Sequence, residues 1–218
     1  MPYKVIVAGA TGLVGSLLLE QLLHYPEFSE VLALVRKQLP VQHQKLRQLL
    51  VDFNQLEDYQ AEINGHAIFC CLGTIRSKTP NLNQYRKIDH DYPVALAKIG
   101  AKNSMSQFHF ISSMGANVKS SAFYTRLKGE TEADLQKLSL PSVFIYRPSL
   151  LTGDRNDKRF VERLATVIMK WINPFLIGKL KNYRSIPAAV VAKAMVNQSL
   201  KNNSGNYTYL SDQIKNLA

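Results

Sequence analysis

The fold of this chain is decided by a short stretch near the N-terminus, Gly9-Ala10-Thr11-Gly12-Leu13-Val14-Gly15. Residues 3–8, just before it, are rich in valine and isoleucine without polar alternation, which is typical of a strand covered on both faces. Leucines at helical spacing begin at Leu13 and end before Pro26. Strand, glycine-rich turn and helix in this order form the phosphate-binding element of dinucleotide-binding α/β proteins.

The three glycines of this stretch have separate tasks. Gly9 permits the sharp turn, Gly12 lets the backbone approach a pyrophosphate, and Gly15 lets the helix pack tightly on the sheet. The free N–H groups at the start of the helix would face the phosphates. We therefore predict that residues 9–15 bind a dinucleotide. The alternative is a glycine-rich turn without a ligand.

Apolar runs and helical patterns alternate along the rest of the chain. Strands are predicted at 31–35, 49–53, 67–72, 107–111 and 142–146, helices at 83–101 and 122–138, and, later, helices at 158–172 and 187–201 and a strand at 206–210. This alternation indicates an α/β protein with a Rossmann-like, doubly wound parallel sheet. We expect a single domain over 1–218, with a cofactor-binding core at 1–147 and a small C-terminal substrate-side lobe at 148–218.

The residues after the second strand bear on the choice of cofactor. NAD-binding units usually carry Asp or Glu there, which binds the ribose hydroxyls. Here the strand ends in Arg36 and Lys37, and an arginine would bind a 2′-phosphate. The sequence therefore favours NADPH or NADP+ over NAD. In the alternative interpretation, both residues are ordinary solvated charges.

Further cofactor contacts are predicted after the third and fourth strands. Asp52 and Phe53 close the third strand, and the Asp52 carboxylate either accepts a hydrogen bond from the adenine amino group or bonds to nearby backbone. After the fourth strand the chain must pass close to the adenosine and its ribose. This predicts contacts along the next four residues, Cys71, Leu72, Gly73 and Thr74.

Tyr124 and Lys128 are four residues apart in a predicted helix, so they share one face. This pair suits hydride transfer to a carbonyl group, because a tyrosine hydroxyl can donate the proton. The ordinary pKa of tyrosine is about 10, and a neighbouring ammonium lowers it. The lysine can also bind the nicotinamide ribose. Ser112 and Ser113 end the fifth strand, where a serine hydroxyl would orient the substrate oxygen.

Together these motifs resemble the short-chain dehydrogenase/reductase superfamily, in its atypical or extended branch. Within it, the chain is most similar to the Tat-interacting-protein family of oxidoreductase-like proteins. The stretches that carry this similarity are Cys70-Cys71-Leu72-Gly73-Thr74, Asp89-His90-Asp91-Tyr92, Ser112-Ser113-Met114-Gly115-Ala116, Lys128-Gly129-Glu130 and Tyr146-Arg147-Pro148.

The resemblance implies a fold of this kind and binding of NADPH. It also implies a catalytic group of Ser113, Tyr124 and Lys128, with Ser112 as the alternative serine. Cofactor contacts are expected from Ser112, Tyr124 and Lys128 themselves and, after the sixth strand, from Arg147, Pro148 and Leu150.

Two functions fit these features. The first is NADPH-dependent reduction of a small carbonyl compound. The second is a redox-silent NADPH-binding module that acts as a regulator or scaffold through a protein partner.

The composition indicates which partners and which cellular compartment to expect for either function. The net charge of +11 favours anionic partners. Basic residues concentrate at 155–184. This segment could be a solvated helix face, a contact with an anionic membrane surface or a site for an acidic partner. No nucleic-acid recognition motif accompanies them, and no transmembrane segment is expected. Cys70 and Cys71 are adjacent and fit inert thiols in a reducing compartment, and the five histidines lack metal-ligand spacing. We expect a cytoplasmic protein.

Overall fold

The computed structural model describes residues 2–153 and 184–218. Seven parallel strands form the central sheet, in the order β3-β2-β1-β4-β5-β6-β9. They are β1 (Tyr3–Ala8), β2 (Phe28–Val35), β3 (Leu46–Leu50), β4 (Ala67–Cys70), β5 (Gln107–Ile111), β6 (Ser142–Arg147) and β9 (Gly205–Leu210). Two short strands, β7 (Leu151–Thr152) and β8 (Ile186–Pro187), pair separately. The predicted doubly wound parallel sheet is confirmed.

Helices cover both faces of the sheet. They are α1 (Leu13–His24), α2 (Leu82–Arg86), α3 (Tyr92–Lys102), α4 (Phe123–Gln136), α5 (Ala188–Ser199) and α6 (Ser211–Leu217). Buried side chains of α1, α5 and α6 share one core cluster, whereas those of α3 and α4 belong to the cluster on the other face. One π-helical turn, Lys87–Asp91, joins α2 to α3, so the helix predicted at 83–101 is a single helical segment. Among the helices described, none has both the length and the hydropathy to cross a bilayer.

The apolar run of β1 shows why the central strands do not alternate. Val5 and Val7 point into the core cluster beneath α1, and Ile6 and Ala8 point into the cluster on the opposite face. All four side chains are fully buried. Both faces of a parallel sheet are covered by helices, so a central strand such as β1 carries apolar residues on both of them.

The third strand differs from the prediction. β3 spans Leu46–Leu50 rather than 49–53, because it lies at the sheet edge and carries polar residues that interrupt the apolar run. Asp52 precedes a 3-10 helix, Phe53–Tyr59. The Phe53 side chain turns into the core, with its ring centroid 5.5 Å from that of Tyr92.

The C-terminal part of the chain adds to the same sheet. β9 pairs with β6, and α5 packs in the core cluster that contains α1. The helix predicted at 158–172 and residues 155–183 of the basic segment lie outside the described residues. The boundary expected at 148 therefore stays a prediction.

Gly129, in the middle of α4, marks where the loop after β5 crosses this helix at close range. A Cβ at this position would overlap the amide nitrogen of Val118 and lie 2.5 Å from the carbonyl carbon of Asn117. The loop cannot retreat easily, because the Asn117 amide donates a 2.9 Å hydrogen bond to the carbonyl of Thr125. The close packing of loop on helix requires a glycine.

We predict that Gly129→Ala destabilises the protein, although alanine is the better helix former by about 1 kcal/mol. The added methyl group meets backbone, and such overpacking costs about 1–3 kcal/mol or more. Urea denaturation would measure the loss. Gly100→Ala is the matched control, because its methyl would meet the movable end of the Ile68 side chain at 3.0 Å. A larger loss for Gly100→Ala than for Gly129→Ala would contradict this explanation.

Candidate functional site

The glycine turn after β1 is built as close-packed backbone. Gly9 has a φ of +89°, and a Cβ on it would lie 2.6 Å from the carbonyl carbon of Cys71, which follows β4. A Cβ on Gly15 would overlap the carbonyl oxygen of Gly9. Gly12 caps α1, and within the described part of the chain no capping side chain occupies the first N–H groups of the helix. The turn therefore presents a helix N-terminus suited to a phosphate group.

A cleft of about 540 Å³ opens beside this turn, between the loops that follow β1 and β4. The strand order reverses between these two strands, and ligands of open α/β sheets bind at that crevice. Ten of the predicted cofactor residues line it: Thr11, Gly12, Leu13, Val14, Cys71, Leu72, Gly73, Thr74, Tyr124 and Lys128. Gly9, Ala10 and Gly15 lie outside this lining, in the turn and the first helical turn.

Lys128 reaches the cleft from α4 as a buried cation. Its ammonium lies 3.0 Å from Oδ1 of Asp89, and the two side chains are 4% and 1% exposed. It also donates a 3.3 Å hydrogen bond to the carbonyl of Ile111 and lies 4.8 Å from the ring centroid of Phe110. Burial alone would lower the pKa of Lys128, but Asp89 and the nearby Tyr124 raise it above its ordinary value. Lys128 is therefore charged at neutral pH.

Asp89 is the site residue that the sequence prediction missed. It lies in the π-helical turn and lines the cleft. Its second oxygen accepts a 2.8 Å hydrogen bond from the amide of Thr74, and Tyr85 donates to the Thr74 carbonyl at 2.9 Å. The loop after β4 is thereby fixed to the helical segment. The stretch 89–92 carried the family resemblance, but nothing in its spacing indicated that a carboxylate would face Lys128.

Tyr124 lies one helical turn before Lys128, lines the same cleft and is 42% exposed. The start of α4 is held by the loop before it. Arg126 donates to the carbonyls of Ser120 and Ser121, at 3.1 and 3.2 Å, and the hydroxyls of Ser120 and Thr125 are 2.6 Å apart. These contacts fix the turn of helix that carries Tyr124.

The two serines after β5 have different environments. The hydroxyl of Ser112 donates to the buried carboxylate of Glu132 on α4. The hydroxyl oxygen of Ser113 is buried and has no hydrogen-bond partner among the described residues. Neither serine belongs to the lining of the cleft. Of the two, Ser113 is the one whose hydroxyl is not already committed to a carboxylate.

Glu132 joins three elements at one carboxylate. Besides the contact from Ser112, it accepts hydrogen bonds from Nε of Arg147 at 3.0 and 3.2 Å and a further contact from Nη2. Arg147, which ends β6, was expected at the cofactor, but its guanidinium is engaged here. The sequence signal for Glu132 was its place four residues after Lys128, on the same helix face.

Six other predicted cofactor residues also lie outside the lining: Arg36, Lys37, Asp52, Phe53, Pro148 and Leu150. Arg36 and Lys37 are exposed at the carboxyl end of β2, on the same edge of the sheet as the cleft. Asp52 accepts hydrogen bonds from the backbone and side-chain amides of Asn54, at 2.9 and 3.0 Å, and these bonds lower its pKa. Pro148 is buried and Leu150 exposed, whereas the next residue, Leu151, lines the cleft.

The two thiols and the buried histidines, His90 and His109, are engaged in packing or in hydrogen bonds. Cys70 and Cys71 are unpaired, and burial raises the pKa of Cys70 to about 12 and that of Cys71 well above its ordinary value. Burial lowers the pKa of His109 to about 3. His90 bonds to the carboxylates of Asp91 and Asp134. Over residues 2–153 and 184–218, no three potential metal ligands lie together.

Comparisons with known proteins agree with this geometry. The chain is 31% identical to Protein HTATIP2 of Rattus norvegicus over 214 residues, which are 96% of this chain and 86% of that protein. It is 32% identical to Protein FMP52, mitochondrial, of Saccharomyces cerevisiae over 157 residues, 71% of this chain and 68% of that one. The structure of MoeE5 in complex with UDP-glucuronic acid and NAD has a TM-score of 0.72 at 18% identity, with 94% and 75% of the chains covered, which shows the shared fold.

The fold and these similarities define a Rossmann-like α/β protein that is similar to HTATIP2 over most of its length. A family profile described as NAD(P)H-binding matches residues 9–203. This chain belongs to that NAD(P)H-binding family. The expected cytoplasmic location is wrong by the same comparisons, because the fungal relatives are named as mitochondrial proteins.

The Glu132 contacts generate a prediction about stability. Glu132→Gln leaves the Arg147 guanidinium without its carboxylate in a mostly buried place, so we expect a loss of about 2 kcal/mol or more in the free energy of unfolding. Glu130→Gln on the same helix is the matched control, since the Arg86–Glu130 pair is partly exposed and is worth about 1 kcal/mol or less. Chemical denaturation measures both. Equal losses would show that the buried carboxylate has no special role.

Proposed function

We propose that this protein reduces a small carbonyl compound with NADPH, using Tyr124, Lys128 and Ser113. The observation that carries the proposal is the convergence of Tyr124 and the buried Lys128 cation on the cleft beside the glycine turn. A proton donor, a fixed positive charge and a dinucleotide cradle are the groups that such a reduction needs.

The cradle fits a dinucleotide phosphate, because Gly9 and Gly15 leave no room for side chains and the start of α1 is open. The N–H groups of Leu13 and Val14 would hold the pyrophosphate. The Lys128 ammonium donates to the Ile111 carbonyl and lies 3.0 Å from Oδ1 of Asp89, and a further N–H of this ammonium would bind the nicotinamide ribose. Arg36 and Lys37 would hold the 2′-phosphate. When bound, NADPH supplies the hydride.

Proton transfer falls to Tyr124. Its hydroxyl donates a proton to the carbonyl oxygen as the carbon receives the hydride, so the product is an alcohol. The phenolate that remains is stabilised by the positive charge of Lys128, and the exposure of Tyr124 lets it regain a proton from water. Ser113 orients the substrate oxygen, since the hydroxyl of Ser112 is held by Glu132.

Tyr124→Phe tests the proton donor. We expect turnover of aldehydes and ketones to fall by about 100-fold or more, because general acid catalysis is lost, while NADPH affinity stays nearly unchanged. Consumption of NADPH at 340 nm and its fluorescence on binding measure the two quantities. Tyr207→Phe is the control, since Tyr207 lies on the edge strand β9 and its hydroxyl donates to the carbonyl of Ser204. Turnover by Tyr124→Phe at the parent rate, or NADPH binding by the parent without turnover on a broad carbonyl panel, would contradict the mechanism.

Arg36→Ala tests the cofactor preference. Loss of a charge-assisted contact to the 2′-phosphate should weaken NADPH binding about tenfold and leave NADH binding unchanged. Calorimetric titration of both cofactors measures this. Arg47→Ala, on the neighbouring strand β3, removes the same charge from an exposed position and should affect neither cofactor. Equal affinity of the parent for NADPH and NADH would remove the argument from Arg36.

A further inference from the structure

Lys128 does not act on the cleft as an isolated cation. Asp89 is the only carboxylate among the described residues that line the cleft, and its Oδ1 lies 3.0 Å from the ammonium. Several ångströms away from the pair, the electrostatic potentials of the two charges therefore largely cancel. Lys128 keeps its N–H donors for hydrogen bonds, but the pair adds little net charge to that end of the cleft.

We propose that Asp89, by balancing the charge of Lys128, sets the relative affinity of the cleft for the oxidised and the reduced cofactor. The proposal rests on the proposed function, which puts the nicotinamide end of the cofactor beside Lys128. It assigns to Asp89 a role that the Ser113–Tyr124–Lys128 group does not contain.

The physical reason lies in the nicotinamide ring, which carries a positive charge when oxidised and none when reduced. An unbalanced ammonium nearby would disfavour the oxidised form, and an unbalanced carboxylate would favour it. A unit charge at about 7 Å, with an effective dielectric constant of about 20 to 40, changes the ratio of the two affinities by about tenfold or more. A balanced pair leaves both forms bound with similar strength, which lets the product cofactor leave and the substrate cofactor enter.

The pair is held so that it cannot separate easily. The second oxygen of Asp89 accepts from the Thr74 amide at 2.8 Å, and the Asp89 carbonyl accepts from the Thr131 hydroxyl on α4 at 3.0 Å. Lys128 is fixed by the Ile111 carbonyl and the Phe110 ring. Among the described residues, the titratable groups that affect the pKa of Lys128 are Asp89 from the π-helical turn, Tyr124 from its own helix and Cys70 from β4.

A purely structural ion pair, which only ties the π-helical turn to α4, is the competing explanation. Its loss would lower stability and would weaken both cofactor forms equally. The ratio of the dissociation constants for NADP+ and NADPH separates the two explanations, because a general loosening of the cleft cancels in the ratio. Turnover is not needed for this measurement.

The experiment measures that ratio by calorimetry in the parent, Asp89→Asn, Lys128→Gln and the double variant. The parent and all three variants are measured at about pH 6 and again at about pH 8. Glu130→Gln is the matched control, because the Arg86–Glu130 pair joins α2 to α4 outside the cleft lining.

We expect the ratio of the NADP+ to the NADPH dissociation constant to rise about tenfold in Asp89→Asn and to fall about tenfold in Lys128→Gln. The double variant and Glu130→Gln should keep the parent ratio. If both single variants weaken the two forms equally, the charge-balance role is wrong, although the cofactor still lies beside Lys128. If Lys128→Gln changes neither affinity, the placement in the proposed function fails, and the inference fails with it.

Discussion

The site depends on one contact between two backbone segments, that of Gly9 with the carbonyl group of Cys71. These residues follow β1 and β4, the neighbouring strands from which the chain turns to opposite sides of the sheet. Because no side chain separates them, the start of α1 and the loop at 71–74 border a single cleft. A larger residue at position 9 would force the loops apart and remove the surface on which a dinucleotide lies.

The second half of the site is assembled from α4 and the π-helical turn. Lys128 and Glu132 lie one turn apart on α4, and each forms an ion pair, Lys128 with Asp89 and Glu132 with Arg147. Lys128 faces the cleft with Asp89, while Glu132 holds the ends of β5 and β6 through Ser112 and Arg147. Buried ion pairs of this kind add little net stability but fix side chains in place. The tyrosine and the lysine are thus held on α4, the serines follow β5, and Glu132 joins these two elements.

The sequence was sufficient for the parts of the fold that have a strong local signal. β1, α1 and β5 end at the predicted residues, because β1 is apolar on both faces, the glycine turn separates it from α1, and β5 is a short apolar run that ends before the two serines. The predicted bounds of β3 were displaced because this edge strand mixes polar and apolar residues. Asp89 and Glu132 were missed since their partners are distant in sequence. The place of Glu132 four residues after Lys128 indicates the helix face on which it lies, but not its partners. The contact of Arg147 with Glu132 was not predicted for the same reason, as this carboxylate lies on another element.

The π-helical turn at Lys87–Asp91 has a consequence for the helical phase. An extra residue in one turn rotates everything after it by about 100° relative to a regular α-helix. If the segment relaxed to regular geometry, the apolar face of α3, with Val94, Leu96 and Ala97, would rotate away from the core in which it is buried. The packing of α3 in the core therefore keeps the π-helical turn in place. Because this turn carries residue 89, that residue faces the cleft whatever its charge.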